Sequence, residues 1–309
     1  MNLRTDLAIE QHACLSDRAG TETEERRCGS THVHKVRIVT EDAALRMGKP
    51  AGVYVTLQDE QLQSGEMGKE EQEKLAALLA DEMKTLLPRQ GCVLVVGLGN
   101  RRITADALGS AVTEKLLVTR PLALADDGAK APFRSVCALA PGVLGVTGIE
   151  TAEIVRGVVD FVRPRCVVVI DALAAREMRR IGATVQLTDT GICPGSGVGN
   201  HRMALNRETL GVPVIAVGVP MVVYASVILR DGMDMLLKDM EMGEKDKQQA
   251  LSDLVNRAMG GEGGDMVVTP RDVDQLVGRV AGVVALGINM ALQTHLSQEE
   301  ILLFTHDHL

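Results

Sequence analysis

Three short apolar runs, "CVLVVGLGN" at 92–100, "CVVVIDALAA" at 166–175 and "VPVIAVGVP" at 212–220, constrain this chain more than any other feature. Each is dominated by β-branched and small apolar residues and is bounded or interrupted by Gly or Pro, the pattern of a buried strand. A strand with no polar alternation is apolar on both faces, as in a parallel sheet covered by helices on both sides. Helix patterns lie between the runs. "ITADALGSAVTEKL" (103–116) follows the first, and a helix ending at Val162 precedes the second, its start marked by the capping box Thr147-Gly148-Ile149-Glu150. "SVCALAPG" (135–142) supplies a further strand. The expected fold is α/β, a mostly parallel, doubly wound sheet flanked by helices.

The flanking regions add elements to this centre. Lys35–Thr40 and Gly52–Leu57 read as strands, whereas residues 1–34 are polar and read as irregular. Lys69–Leu87 reads as an amphipathic helix, with Leu75, Leu78, Leu79, Met83, Leu86 and Leu87 on one stripe and Pro88 stopping it. Residues 232–265, rich in Met, Lys, Asp, Glu and Gly, read as a mobile helical insertion, and Thr269-Pro270-Arg271-Asp272 caps a long last helix. No repeat or linker divides the 309 residues, so a single domain is expected. With no Trp, two Tyr and three Phe, the core must be built from Val, Leu, Ile, Ala and Met. A net charge of −8 argues against a nucleic-acid partner. Six scattered cysteines without a C-x-x-C motif read as reduced thiols of a cytosolic protein. Leu210–Leu229 is uncharged for twenty residues, but Pro213 and Pro220 divide it. It reads as a buried strand ending in a turn, and the protein as soluble, with no membrane partner.

In a parallel sheet, ligands bind beyond the carboxyl ends of the strands. Two such ends carry an acid: "GLGNRRITADALG" places Asp106 in the first turns after one strand, and "VVVID" delivers Asp171 at the end of another. If these strands are neighbours, the two carboxylates face one cleft and share a proton. One can then act as general base on a water while the other protonates the reacting group, which is peptide or ester hydrolysis without a metal. Each acid also has a plainer reading, as complement to a helix dipole or as a cap. Gly97-Leu98-Gly99-Asn100 suggests a phosphate turn, but Arg102 stands where a third glycine is needed and no Walker lysine follows, which counts against a nucleotide enzyme. "DTGICPGSGVGNHR" (189–202) begins with the Asp189-Thr190-Gly191 tripeptide and is glycine-rich, as a loop approaching a ligand closely would be. Ser196 has no His–Asp partners at a recognisable spacing, and His201 reads either as a ligand or base or as a solvated loop residue.

Together "RTDLAIE", "GLGNRRITADALG", "VVVIDALAAR" and "DTGICPGSGVGNHR" resemble the germination protease family of spore-forming bacteria. The resemblance runs over nearly the full length. It implies a fold similar to hydrogenase maturation peptidases, a homotetramer in the cytoplasm of forespore and spore core, no cofactor, and small acid-soluble spore proteins as substrate. It also implies a zymogen that matures by self-cleavage, with an aspartate pair that maps onto Asp106 and Asp171. Family substrates are cut after an acid in the layout Thr-Glu, Phe or Ile, Ala-Ser-Glu. Thr5-Asp6-Leu7-Ala8-Ile9-Glu10 repeats that layout imperfectly, so self-cleavage is expected between Asp6 and Leu7, dividing a propeptide of residues 1–6 from a peptidase domain of 7–309. Read without the resemblance, this stretch is an ordinary frayed terminus. The acid before the cut calls for a cationic pocket, for which Arg101, Arg102 and Arg202 are candidates by position; Asp189, Gly195, Ser196 and Gly197 complete the expected substrate-binding set. Two other readings stay open: a metal-dependent maturation-type peptidase with Asp106, Asp171 and His201 as ligands, and a non-catalytic spore protein on the same fold.

Overall fold

The computed structural model describes residues 5–125, 133–194, 203–237 and 266–306 and the single positions 243, 253 and 257. Its strands are β1 (Thr21–Cys28), β2 (Thr31–Ile38), β3 (Gly52–Gln58), β4 (Val93–Gly97), β5 (Val136–Leu139), β6 (Cys166–Ala175), β7 (Thr184–Thr188), β8 (Val214–Tyr224) and β9 (Val267–Val268). They form one sheet in the order β1-β2-β3-β7-β8-β6-β4-β5, with β9 on β8. The centre, β5-β4-β6-β8, is parallel, and β7, β3, β2 and β1 extend it through antiparallel pairings.

Alternate residues of the central strands serve opposite faces, which is why the strands are apolar throughout. Val93 and Val95 pack with the helices Lys69–Leu86, Leu108–Thr113 and Val273–Leu292, while Leu94 and Val96 pack with Thr151–Val162. Helices therefore cover both faces, as expected for double winding. Leu75, Leu79 and Met83 lie on the buried side of the helix Lys69–Leu86, and Leu87 turns extended ahead of Pro88. Gly287 lets the helix Val273–Leu292 cross close by, since a Cβ there would lie 2.8 Å from Leu79 Cδ2. That apolar helix is long enough to cross a membrane, but Val280, Val284 and Ile288 are buried against this core.

Several local expectations change. Residues 21–38, part of the stretch read as irregular at 1–34 and the strand read at 35–40, form a hairpin through Gly29-Ser30. β1 carries charges on both faces and is exposed except at its two end residues, so it lacks the alternation that marks a half-buried strand. β8 does not stop at Pro220; the proline lies within it, beside a bulge where the β6–β8 register shifts between Leu173 and Ala174. The helix Thr151–Val162 is capped by Glu150, whose N–H reaches the Glu153 carboxylate, rather than by Thr147. Thr269 likewise donates its hydroxyl to the Met221 carbonyl, so the helix beyond it begins only at Val273, and a further helix, Gln298–His306, follows. Of the insertion expected at 232–265, residues up to 237 continue the helix Ala225–Leu237, and nearly all the rest lies outside the described residues.

Glycine substitution separates two effects. A Cβ at Gly109 would sit 2.3 Å from the Leu98 carbonyl oxygen, forcing the helix Leu108–Thr113 off the end of β4. Gly109→Ala is expected to destabilise by at least about 1–3 kcal/mol. Gly157, exposed within a helix and open on all sides, is expected to gain about 0.5–1 kcal/mol on change to Ala. Urea midpoints moving in the same direction for both would contradict this packing.

Candidate active site

The register of the parallel centre decides where Asp171 falls. β4 ends at Gly97, which pairs with Ile170, so Asp171 is the first residue of β6 beyond the end of its neighbour. It is not the last residue of its strand: β6 continues to Ala175 alongside β8, and Asp171, 93% buried, pairs with Gly218. Beyond Gly97 the chain turns back through Gly99, whose φ of +101° is one that L side chains rarely adopt. A Cβ there would meet the Asp106 carbonyl oxygen at 1.9 Å. The short 3-10 turn Thr104–Asp106 then returns the Asp106 carboxylate to the start of the loop, where Oδ2 accepts the Asn100 N–H at 2.7 Å. The glycines thus fold an acid back onto the strand end rather than cradling a phosphate.

Asp106 and Asp171 line one cleft of about 480 Å³, and Asp6 lines it with them. The segment around Asp6 is not a frayed terminus. The Asp6 N–H donates to the Ala174 carbonyl at 2.9 Å, and the Ala174 N–H donates to Asp6 Oδ2 at 2.9 Å, beside the bulge in β6. The Asp6 carbonyl oxygen accepts from Lys49 Nζ at 2.8 Å and from Gln186 Nε2 at 3.3 Å. Leu7 is fully buried in the main core, worth about 1.5–3 kcal/mol, and Ala8 is buried at the head of the helix Ala8–Ala13. Glu10, buried, accepts the N–H groups of Arg176 and Glu177 at 2.9 and 3.0 Å, lies 3.2 Å from Arg180 Nε, and bonds the Thr5 hydroxyl.

Charge in the cleft is uneven. Among the described residues that line it, Lys49 is the one cation beside three aspartates. Burial pushes the Lys49 ammonium below the ordinary lysine pKa, and the neighbouring Asp6 carboxylate opposes that shift. The Tyr54 hydroxyl, pushed up to about 12 by burial, donates to the Pro50 carbonyl at 2.9 Å on the same wall. Burial also raises the Cys193 thiol.

Other expected site residues stand elsewhere. Arg101 is exposed and paired with Glu114 at 3.1 Å, Arg102 is exposed, and neither lines the cleft, because Asp106 takes the inward side of their turn. Asp189 is exposed and accepts the Val53 N–H at 2.8 Å, a tie between β3 and the end of β7, while its neighbours Thr190 and Gly191 line the cleft. Gly195, Ser196, Gly197, His201 and Arg202 lie outside the described residues. No group of three or more His, Cys, Asp or Glu placed to hold a metal occurs among the described residues. Sequence reasoning missed Lys49, Gln186 and the Ala174 peptide. Gln186 lies in "TVQLT", a strand that the sequence pattern does not reveal, and the lone Lys in "MGKP" gives no signal either.

A profile of the germination protease family matches residues 2–262. The chain is 41% identical to the germination protease of Clostridium perfringens over 97% of its own length and 98% of that protein's. It is 40% identical to that of Caldanaerobacter subterraneus, covering 97% of each, and 37% identical to that of Bacillus subtilis, covering 96% of this chain and 95% of that one. Among solved structures, a NiFe hydrogenase maturation protease of Thermococcus kodakarensis is 15% identical, with a TM-score of 0.33 over 67% of this chain and 98% of that one. The chain belongs to the germination protease family.

Proposed function

We propose that this protease is an aspartate-type endopeptidase made as a zymogen, and that Asp6–Leu7 is its own first cleavage site. One observation carries the reading: a segment with the layout of a substrate places its Asp6 on the wall of the cleft that Asp106 and Asp171 line, held there through backbone and side chain. In the proposed reaction one carboxylate takes a proton from water as the hydroxyl adds to the Asp6 carbonyl carbon. The other gives its proton to the Leu7 nitrogen as the C–N bond breaks. The products are a segment with a new carboxyl end at Asp6 and a mature chain beginning at Leu7. The same cleft then cuts small acid-soluble spore proteins after an acidic residue and before a large apolar one.

The acid before the cut meets the Ala174 N–H in the role first given to arginines, with Lys49 close by. The homotetramer and the location in the forespore and spore core rest on the family resemblance alone.

The test is intact mass over time for the purified wild-type chain, Asp106→Asn and Asp171→Asn, with and without EDTA. Wild type is expected to lose residues 1–6 with or without EDTA, and both variants to stay whole. Cleavage in both variants would remove the aspartate pair from the mechanism, and cleavage stopped by EDTA would favour a metal site. Specificity has its own check. Asp6→Asn keeps the shape but removes the charge, and is expected to slow cleavage at least about tenfold, the loss of one charge-assisted hydrogen bond. Asp6→Glu, closer to the family's substrate layout, is expected to speed it. Equal rates for the three would mean the acid is not read.

A further inference from the structure

We propose that Lys49, assisted by Gln186, is the electrophilic catalyst of this protease: the pair binds the oxygen of the scissile carbonyl and stabilises the oxyanion that forms there. The inference rests on the reading of the Asp106–Asp171 cleft given above and adds the group that the two-carboxylate scheme lacks.

Water addition moves the carbonyl π electrons onto oxygen, so negative charge develops at a defined point. In this cleft it develops beside three aspartates, and Lys49 is the one cation among the described lining residues. Lys49 Nζ already donates to the Asp6 carbonyl oxygen at 2.8 Å, and Gln186 Nε2 donates to the same atom at 3.3 Å. When the C–N bond breaks the electrons return, and the oxygen that Lys49 held becomes part of the new carboxyl group.

Both donors are held by rigid elements. Gln186 is almost fully buried in β7, between Thr56 of β3 and Gly218 of β8. Its side-chain oxygen accepts the Ala8 N–H at 2.7 Å, which turns the amide so that nitrogen faces Asp6. Gln186 therefore spans the proposed cut, touching the residue before it through one atom and the second residue after it through the other. Lys49 follows the helix Glu41–Met47 directly, its N–H bonded to the Ala44 carbonyl at 3.1 Å past the left-handed cap at Gly48. Donors fixed before reaction need little reorganisation as charge develops, the condition under which such contacts act on rate.

The experiment compares self-cleavage of full-length wild type, Lys49→Met and Lys49→Arg by intact mass, with hydrogen-exchange protection of the Ala8 amide as a second readout. Lys49→Met is expected to cut about 100-fold or more slowly while Ala8 stays protected, and Lys49→Arg to recover part of the rate. A Met variant that cuts within threefold of wild type would overturn the proposal. So would slow cleavage accompanied by loss of Ala8 protection, which would make Lys49 an anchor of the segment and nothing more. Asp106→Asn and Asp171→Asn run alongside: if both cut at the wild-type rate, the aspartate reading itself fails, whatever Lys49 does.

Discussion

The contact on which the rest of this structure depends is the close approach of the helix Leu108–Thr113 to the end of β4. Gly97 and Gly109 face each other with no room for a Cβ on either, since one built on Gly97 would meet the Gly109 carbonyl oxygen at 2.1 Å. With the helix seated there, the residues between must loop out and return, and Gly99 supplies the turn that brings Asp106 back to Asn100. The same early end of β4 leaves Asp171 without a neighbour from that strand, at the edge of an opening. A doubly wound sheet offers a crevice at such a point, and the glycine contact decides that acids border it.

The N-terminal segment completes the cleft rather than covering it from outside. Leu7 lies in the main core and Glu10 is tied to the 176–180 turn, so the residues after the proposed cut are anchored by burial and by hydrogen bonds. Asp6 is held mainly by polar contacts at the cleft wall. This asymmetry suits a break between Asp6 and Leu7: the anchored side keeps its place, and Asp6 depends on hydrogen bonds that water can replace.

Electrostatics bears on how a chain with a net charge of −8 holds an acidic residue at its cleft. Long-range repulsion is opposed locally, by the Ala174 N–H at the side chain and by Lys49 at the backbone. Burial weakens the hold of Lys49 on its proton, while Asp6 strengthens it. The Asp6 carboxylate therefore supports the charged form of Lys49, as a buried cation requires.

The sequence by itself determined the central strands, because residues apolar on both faces have no other stable place than between two helical layers. It determined the helix Lys69–Leu86 almost to its ends, and it marked Asp106 and Asp171 by their position after such strands. It did not reveal β1, whose side chains are exposed and charged on both faces, nor β7, whose polar Gln and Thr residues are buried because they have distant partners. Nor did it show that Pro220 sits inside β8 at a bulge, since a proline's tolerance depends on the pairing around it. Only the tertiary structure decided what surrounds Asp6. Lys49, Ala174 and Gln186 come from three separate parts of the chain, and hydrogen bonds between residues so far apart leave no periodicity to read.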